Sequence, residues 1–397
     1  MSYSTTTGLV LNNLFIYPLS GATLTDQLID CYNQLDKNPL IENYTKSSIV
    51  KQTIFISLTN NADYIQSKQK LLFCAKNFFE VIPPTSVIAQ SPENGSLVLE
   101  LTIIEGLQEK DIIHRSNEES SWIVINRNET KLLIATGSGD NPEKENILKN
   151  SITAFSRIDA ILKAENLEFS NILRQWNYIE QITKIETNGK SESQHYQIFN
   201  DVRSKFYNQC EFANGFPAAT GIGTDCGGIT IDIIAAENNP NCLVIPIKSP
   251  VQLDAYSYSK EVLAENSSMS DFCRTSPKFE RAKIFVTQNY KWVFISGTAA
   301  IKGQASIPVI SPEVQTEMTI QNILRLISDE NIQKHGISEG QKAEINYLRV
   351  YVKQTNHMKA VKEICTKYFP HTPAVYIIAD ICRPELLVEI EGLAIII

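Results

Sequence analysis

This sequence is short of most features that would tie a chain to a membrane, a metal or a nucleic acid. None of its apolar runs approaches the ~20 residues needed to cross a bilayer. The N-terminus, MSYSTTTGLVLNNLFIY, has no charged leading stretch and no clean apolar core, so no secretory leader is expected. The five histidines, at 114, 195, 335, 357 and 371, form no H-x-H or H-E-x-x-H pattern. The eight cysteines, at 31, 74, 210, 226, 242, 273, 365 and 382, include no C-x-x-C pair, so neither zinc nor dithiol chemistry is expected. Free thiols and a cytoplasmic location are the corresponding expectation. Lys and Arg number 36 against 44 Asp and Glu, a formal net charge of -8 that leaves no basic footprint for nucleic acid or anionic membrane.

What is present is a globular composition, with 43% hydrophobic and 20% charged residues, written as a repeat. In the middle of the chain KLLIATGSG (131–139) precedes an amphipathic stretch, ILKNSITAFSRIDAILKAE (147–165), and then the strand LRQWNYIEQI. Later KWVFISGTAAI (291–301) precedes VQTEMTIQNILRLISDE (314–330) and the strand YLRVYV (347–352). Both continue with a second helix, about 193–208 and about 357–368, and a proline-led strand pair. These pairs read FPAATGIGTDCGGITIDIIAA (216–236) and TPAVYIIADICRPELLVEIEGLA (372–394). A fainter copy ends PPTSVIAQSPENGSLVLELTII (83–104), after the strand QTIFISL and the helical ADYIQSKQKLLFCAKNFF. Each copy reads strand, helix, strand, helix, strand, strand, an α+β unit with its helices on one face of one sheet. The expected units are 1–105, 106–240 and 241–397, the last carrying the chemistry.

The unit resembles the small chorismate-mutase-like fold of the reactive-intermediate imine deaminases, which form trimers with active sites between subunits. Three copies in one chain imply a single-chain pseudo-trimer and a monomer in solution. The arginine that those enzymes carry after the proline is missing. After Pro84, Pro217 and Pro373 stand Thr85-Ser86, Ala218-Ala219 and Ala374-Val375. Imine or enamine hydrolysis is therefore the weaker expectation, beside a ligand-binding protein that lost catalysis.

FNDVRSKFYNQCEFANGFPAATGIG (199–223), SPKFERA (276–282), ISGTAAI (295–301) and VEIEGLA (388–394) instead resemble the chorismatase family. That resemblance implies cleavage of chorismate to pyruvate and a cyclic carboxylic acid, with no metal or organic cofactor. It makes Glu389 the catalytic acid. The final strand places Glu389 and Glu391 on the same face, and its Ile and Leu content makes it interior. Burial raises a carboxyl's pKa, as a general acid near neutral pH requires. The two carboxylates of chorismate need arginine donors, for which Arg203 and Arg281 are the candidates. Tyr256 and Tyr258 match an A-Y-x-Y segment of the family, and Tyr207, Asn214 and Thr220 are further candidate contacts. Cys382 stands where the hydroxybenzoate-forming branch has a cysteine, which implies intramolecular capture and 3-hydroxybenzoate; the hydrolytic branch, giving a dihydroxycyclohexadiene carboxylate, is the competitor. The chain departs from the family at Gln304, where relatives have histidine, and in a long 259–275 segment that reads as a loop or lid.

Overall fold

Strands whose residues are apolar on both faces need cover on both sides, and the repeat supplies it three times. The computed structural model describes residues 9–37, 46–117, 119–140, 146–188, 191–259 and 275–397; the 260–274 part of the long segment lies outside them. In the first unit, β1 (Val10–Ile16), α1 (Leu24–Asp36), β2 (Ile49–Ile56), α2 (Asn61–Phe78), β3 (Thr85–Ala89) and β4 (Leu97–Glu105) follow in order. A capping box at Thr23 starts α1, and the Asn60 side chain accepts from Asp63 N at the start of α2, satisfying amides a helix leaves open.

The middle unit begins with two added strands, β5 (Ile112–Ser116) and β6 (Ser121–Arg127). Then come β7 (Thr130–Gly139), α3 (Ile147–Ala164), β8 (Ile172–Glu180), a small hairpin of β9 (Ile185–Asn188) and β10 (Ser191–Gln194), α4 (His195–Tyr207), β11 (Ala218–Thr224) and β12 (Ile229–Ala236). The last unit likewise opens with β13 (Leu243–Ile247) and β14 (Ala282–Val286). It continues through β15 (Lys291–Ala299), the hairpin β16 (Ile301–Lys302) and β17 (Ala305–Ser306), α5 (Pro312–Leu326), α6 (Asp329–Lys334), β18 (Ala343–Val352), α7 (Met358–Tyr368), β19 (Ala374–Ile378) and β20 (Val388–Ile396).

The three sheets have one topology. Their orders are β1-β4-β2-β3, then β7-β12-β8-β11 with β6 and β5 beyond β7, then β15-β20-β18-β19 with β14 and β13 beyond β15. The third strand of each pairs parallel with the fourth and antiparallel with the last, and each carries one bulge there, skipping Val50, Leu173 and Asn346. The fold class expected from the sequence, tandem α+β units of this kind in one chain, is what the structure holds. The first strand and helix of the first copy, β1 and α1, and the added edge strands were not read from the sequence. Asn12 and Asn13 interrupt the apolar run of β1, VLNNLFI, so periodicity alone does not mark it.

Each sheet buries one face under its own helices and the other against its two neighbours. Ile158 and Phe199, for example, pack in the helix-side core of the middle unit. A central core draws on all three, with Phe55 of the first, Trp176 of the middle and Tyr351 of the last. Polar groups inside this centre follow the same symmetry. Register pairs Thr53 with Glu100, Trp176 with Asp232, and Arg349 with Glu391, so the three carboxylates are equivalent positions. Each finds its cation in another unit: Arg349 grips Glu100 with two bonds of 2.7 Å, Lys51 meets Asp232 at 2.8 Å, and Arg174 meets Glu391. Buried charge is retained only when paired and hydrogen-bonded, and a closed ring of such pairs fixes how the three units meet.

Candidate active site

Glu389 and Glu391 do lie on one face of β20, the face toward the centre, but their surroundings differ completely. Glu391 is saturated: it accepts from Arg174, Thr220, Trp176 Nε1 (2.8 Å), Tyr351 (3.1 Å) and Arg349 (3.2 Å). Glu389 is 4% exposed and opens into a cavity between the middle and last units. Burial, and then the nearby Glu391 charge, push its carboxyl up to about 8, against smaller opposing effects of Arg174 and Arg281. It is thus protonated at neutral pH and free to give up that proton.

The cavity walls come from both units. From the middle unit, Gln194 ends β10; Tyr196, Gln197, Asn200 and Arg203 descend one side of α4; and Ala219 and Gly221 come from β11. From the last unit come Phe279, Arg281, Gly297, Cys382 and Arg383, together with Tyr258. Gly221 is a required glycine, because a Cβ there would stand 2.9 Å from the Tyr196 ring.

Three guanidinium groups line this space, and among the described residues none of the three forms an ion pair. Arg203 donates to Asn200 Oδ1 (2.5 Å), and its buried Nε and the Asn200 Nδ2 have no partners among the described residues. Arg281 is fixed by Leu253 O (2.6 and 3.1 Å) and the Tyr258 hydroxyl. Arg383 is held by Gln304 O (2.9 Å) and Ser306 Oγ (3.0 Å). The Tyr258 ring lies 5.6 Å from the Arg281 guanidinium and 5.4 Å from that of Arg383. Unpaired buried cations and orphaned donors are costly unless an anion completes them. The cavity is built for an anionic ligand.

The structure therefore brings together Glu389, Cys382, Arg203, Arg281 and Tyr258. Four other candidates stand elsewhere. Tyr207 lies a turn further along α4, donates to Gln175 Oε1 (2.9 Å) and packs among Phe169, Phe212 and Phe216. Asn214 sits half-buried in a turn outside the cavity. Thr220 is buried; its hydroxyl donates to Glu391 and accepts from Arg174 (2.6 Å) and Gly297 N (3.0 Å), so nothing remains for a ligand. Tyr256 turns to Asp254 (3.0 Å) and Glu280 instead. Gln304 is also outside, its amide clasping Ser259 N (2.9 Å) and Oγ (3.0 Å). Gln194, Tyr196, Gln197 and Asn200 were missed, although Asn200 and Tyr196, three and seven residues before Arg203, share its helix face.

Burial pushes the Cys382 thiol up to about 12, so it is a neutral thiol beside Glu389. Among the described residues no three His, Cys, Asp or Glu side chains stand together as a metal cluster, and no helix is long and apolar enough to cross a membrane.

A cleft between two like units of an α+β repeat holds a neutral carboxyl against an arginine-lined wall, an arrangement able to take a small anionic ligand and to give it a proton. Comparison with known proteins then adds a resemblance. Residues 110–235 match the family described as chorismatase FkbO/Hyg5-like, N-terminal. A 3-hydroxybenzoate synthase of Streptomyces hygroscopicus is 32% identical over 235 residues, 57% of this chain and 64% of that protein. A chorismatase of the same organism is 30% identical over 231 residues, 57% of this chain and 62% of the relative. The matched region thus spans a little under two thirds of these curated relatives. The crystal structure of a chorismatase superposes with a TM-score of 0.69 at 19% identity, covering 99% of both chains, a likeness of fold. Over part of its length this chain thus resembles the FkbO/Hyg5-like chorismatases, and it shares the fold of a chorismatase throughout.

Proposed function

We propose that this protein cleaves chorismate into pyruvate and 3-hydroxybenzoate. The observation that carries this reading is the neutral Glu389 carboxyl, without a hydrogen bond among the described residues, facing Arg203, Arg281 and Arg383 across one cavity. Chorismate presents two carboxylates for the arginines and an enol ether for the acid. Glu389 gives its proton to the enolpyruvyl methylene, which leaves an oxocarbenium ion and a carboxylate beneath it. The negative charge left on Glu389 stabilises the cation electrostatically. Capture by the neighbouring ring hydroxyl, loss of pyruvate and aromatisation give 3-hydroxybenzoate and return a proton to Glu389. The products together are an isomer of the substrate, so no water is consumed. Capture by water instead would give the dihydroxycyclohexadiene acid. One relative is named a 3-hydroxybenzoate synthase and another a chorismatase, which supports this reading of product and substrate.

Cys382, a neutral thiol lining the cavity with Glu389, is proposed to favour the intramolecular branch. Purified protein incubated with chorismate and resolved by chromatography and mass is expected to yield pyruvate and 3-hydroxybenzoate in equal amounts. Cys382→Ala is expected to shift product toward the dihydroxydiene acid. An unchanged product ratio would make the cysteine incidental. Absence of pyruvate from the wild-type reaction would overturn the whole reading.

A further inference from the structure

The three equivalent units let a feature of the site be separated from a feature of the fold. The bulges that skip Val50, Leu173 and Asn346 occur in every unit and belong to the fold. The pairing of the first strand with the last strand is different. In the first unit β1 runs against β4 without interruption, with Phe15 opposite Glu100, and in the middle unit β7 runs against β12 with Thr136 opposite Asp232. In the last unit Ile295 lies opposite Gly392 and Thr298 opposite Ile390, so Ser296 and Gly297 together face Glu391. Among the described residues this extra residue occurs only in the unit that carries Glu389. The residues equivalent to Glu389 elsewhere, two before the strand's paired carboxylate, are Val98 and Thr230.

The bulge makes specific contacts. Ser296 Oγ accepts from Ala219 N (2.9 Å) and donates to Glu280 O (2.5 Å), tying β15 to β11 across the seam. Gly297 N donates to Thr220 Oγ1 (3.0 Å), so that amide is unavailable to Glu389. A Cβ on Gly297 would stand 2.0 Å from Glu389 Oε1 and 3.1 Å from Thr220 Cγ2. The Glu389 carboxyl therefore rests in the space left by the missing side chain, against a backbone whose donor is already used. Bulges commonly re-aim a side chain beside an active site.

We infer that the Ser296–Gly297 bulge is a positioning element, a one-residue insertion that creates the slot from which Glu389 faces the substrate. The inference rests on Glu389 being the proton donor proposed above. Gly297 supplies no reacting group; it acts through Glu389.

The test is the crystal structure and steady-state kinetics of Gly297→Ala, with kinetics repeated in a Glu389→Gln background. A Cβ contact under 3.0 Å is not sustained, so the Glu389 carboxyl is expected to move by about 1 Å or more while the bulge stays in place. A misplacement of that size is expected to lower kcat about 100-fold with KM changed less than about threefold. In the Glu389→Gln background the same substitution is expected to change the residual rate by less than about threefold, because both changes act through one group. An unmoved Glu389 with a shifted bulge would overturn the inference, as would equal losses in the two backgrounds. If wild-type protein turns over no chorismate, the functional reading fails on its own, and the crystal comparison still decides whether the bulge places the carboxyl.

Discussion

Glu389 differs from Glu391 by one turn of strand alternation, yet one is neutral and the other is gripped by two arginines. The difference is hydrogen bonding, since both are buried. The sequence made the shared face and the burial of these two residues legible, because alternation along β20 and its Ile and Leu content are local. It could not show which of the pair is saturated, because Arg174, Trp176 and Arg349 come from strands far away in the chain. The same limit explains Thr220, whose hydroxyl is taken by groups on three other strands. The raised value of Glu389 also has a sign in stability. With about 8 in the folded protein against an ordinary 4.5, the folded state holds this proton more tightly than the unfolded chain. Its contribution is complete below about pH 4.5 and is lost as pH rises toward 8. Glu389→Gln cannot ionise, so it is expected to melt about 2 °C or more above wild type at pH 9 and close to it at pH 5. A difference that is the same at both pH values would contradict the raised carboxyl.

At the scale of elements, α4 is the clearest case of partial legibility. Arg203 was a candidate because a charged residue stood inside a family-like segment. The helix then carries Asn200 and Tyr196 onto the same wall, and takes Tyr207 past the end of the cavity into an aromatic cluster. Arg203 is 2% exposed and its Nε has no partner among the described residues, so its partner is expected to be the ligand. Arg203→Ala removes a charge-assisted contact, which is expected to raise KM for chorismate about 10- to 100-fold. An unchanged KM would remove α4 from substrate binding. The Ser296–Gly297 bulge was not legible at all. ISGTAAI reads as an ordinary strand end, and only the register of its partner shows that it holds one residue more than its two counterparts.

For the whole molecule, the three sheets meet around one core, and each pair of neighbours is joined differently. The seam between the middle and last units holds the open cavity. At the seam between the first and middle units, Tyr64 lies against Gly227 and donates to Val87 O (2.8 Å), and Lys68 pairs with Asp140 at 2.6 Å. At the third seam Pro92 bridges to Ile377 and Lys362 pairs with Glu93 at 2.7 Å. The repeat thus supplies a frame, and one seam of three carries the candidate chemistry. The order of elements in the frame was readable because each unit repeats a local pattern. Which seam stays open depends on side chains meeting across units, and no single stretch of sequence states it.

The most direct test of the account is the rate of pyruvate release from chorismate by wild type and Glu389→Gln between pH 6 and 10. With Glu389 as the acid, wild-type kcat/KM is expected to be level at low pH and to fall tenfold per unit above about pH 8, while Glu389→Gln is at least about 100-fold below the wild-type plateau and does not share that fall. A variant that keeps wild-type turnover, or a wild-type rate that rises through pH 8, would contradict it.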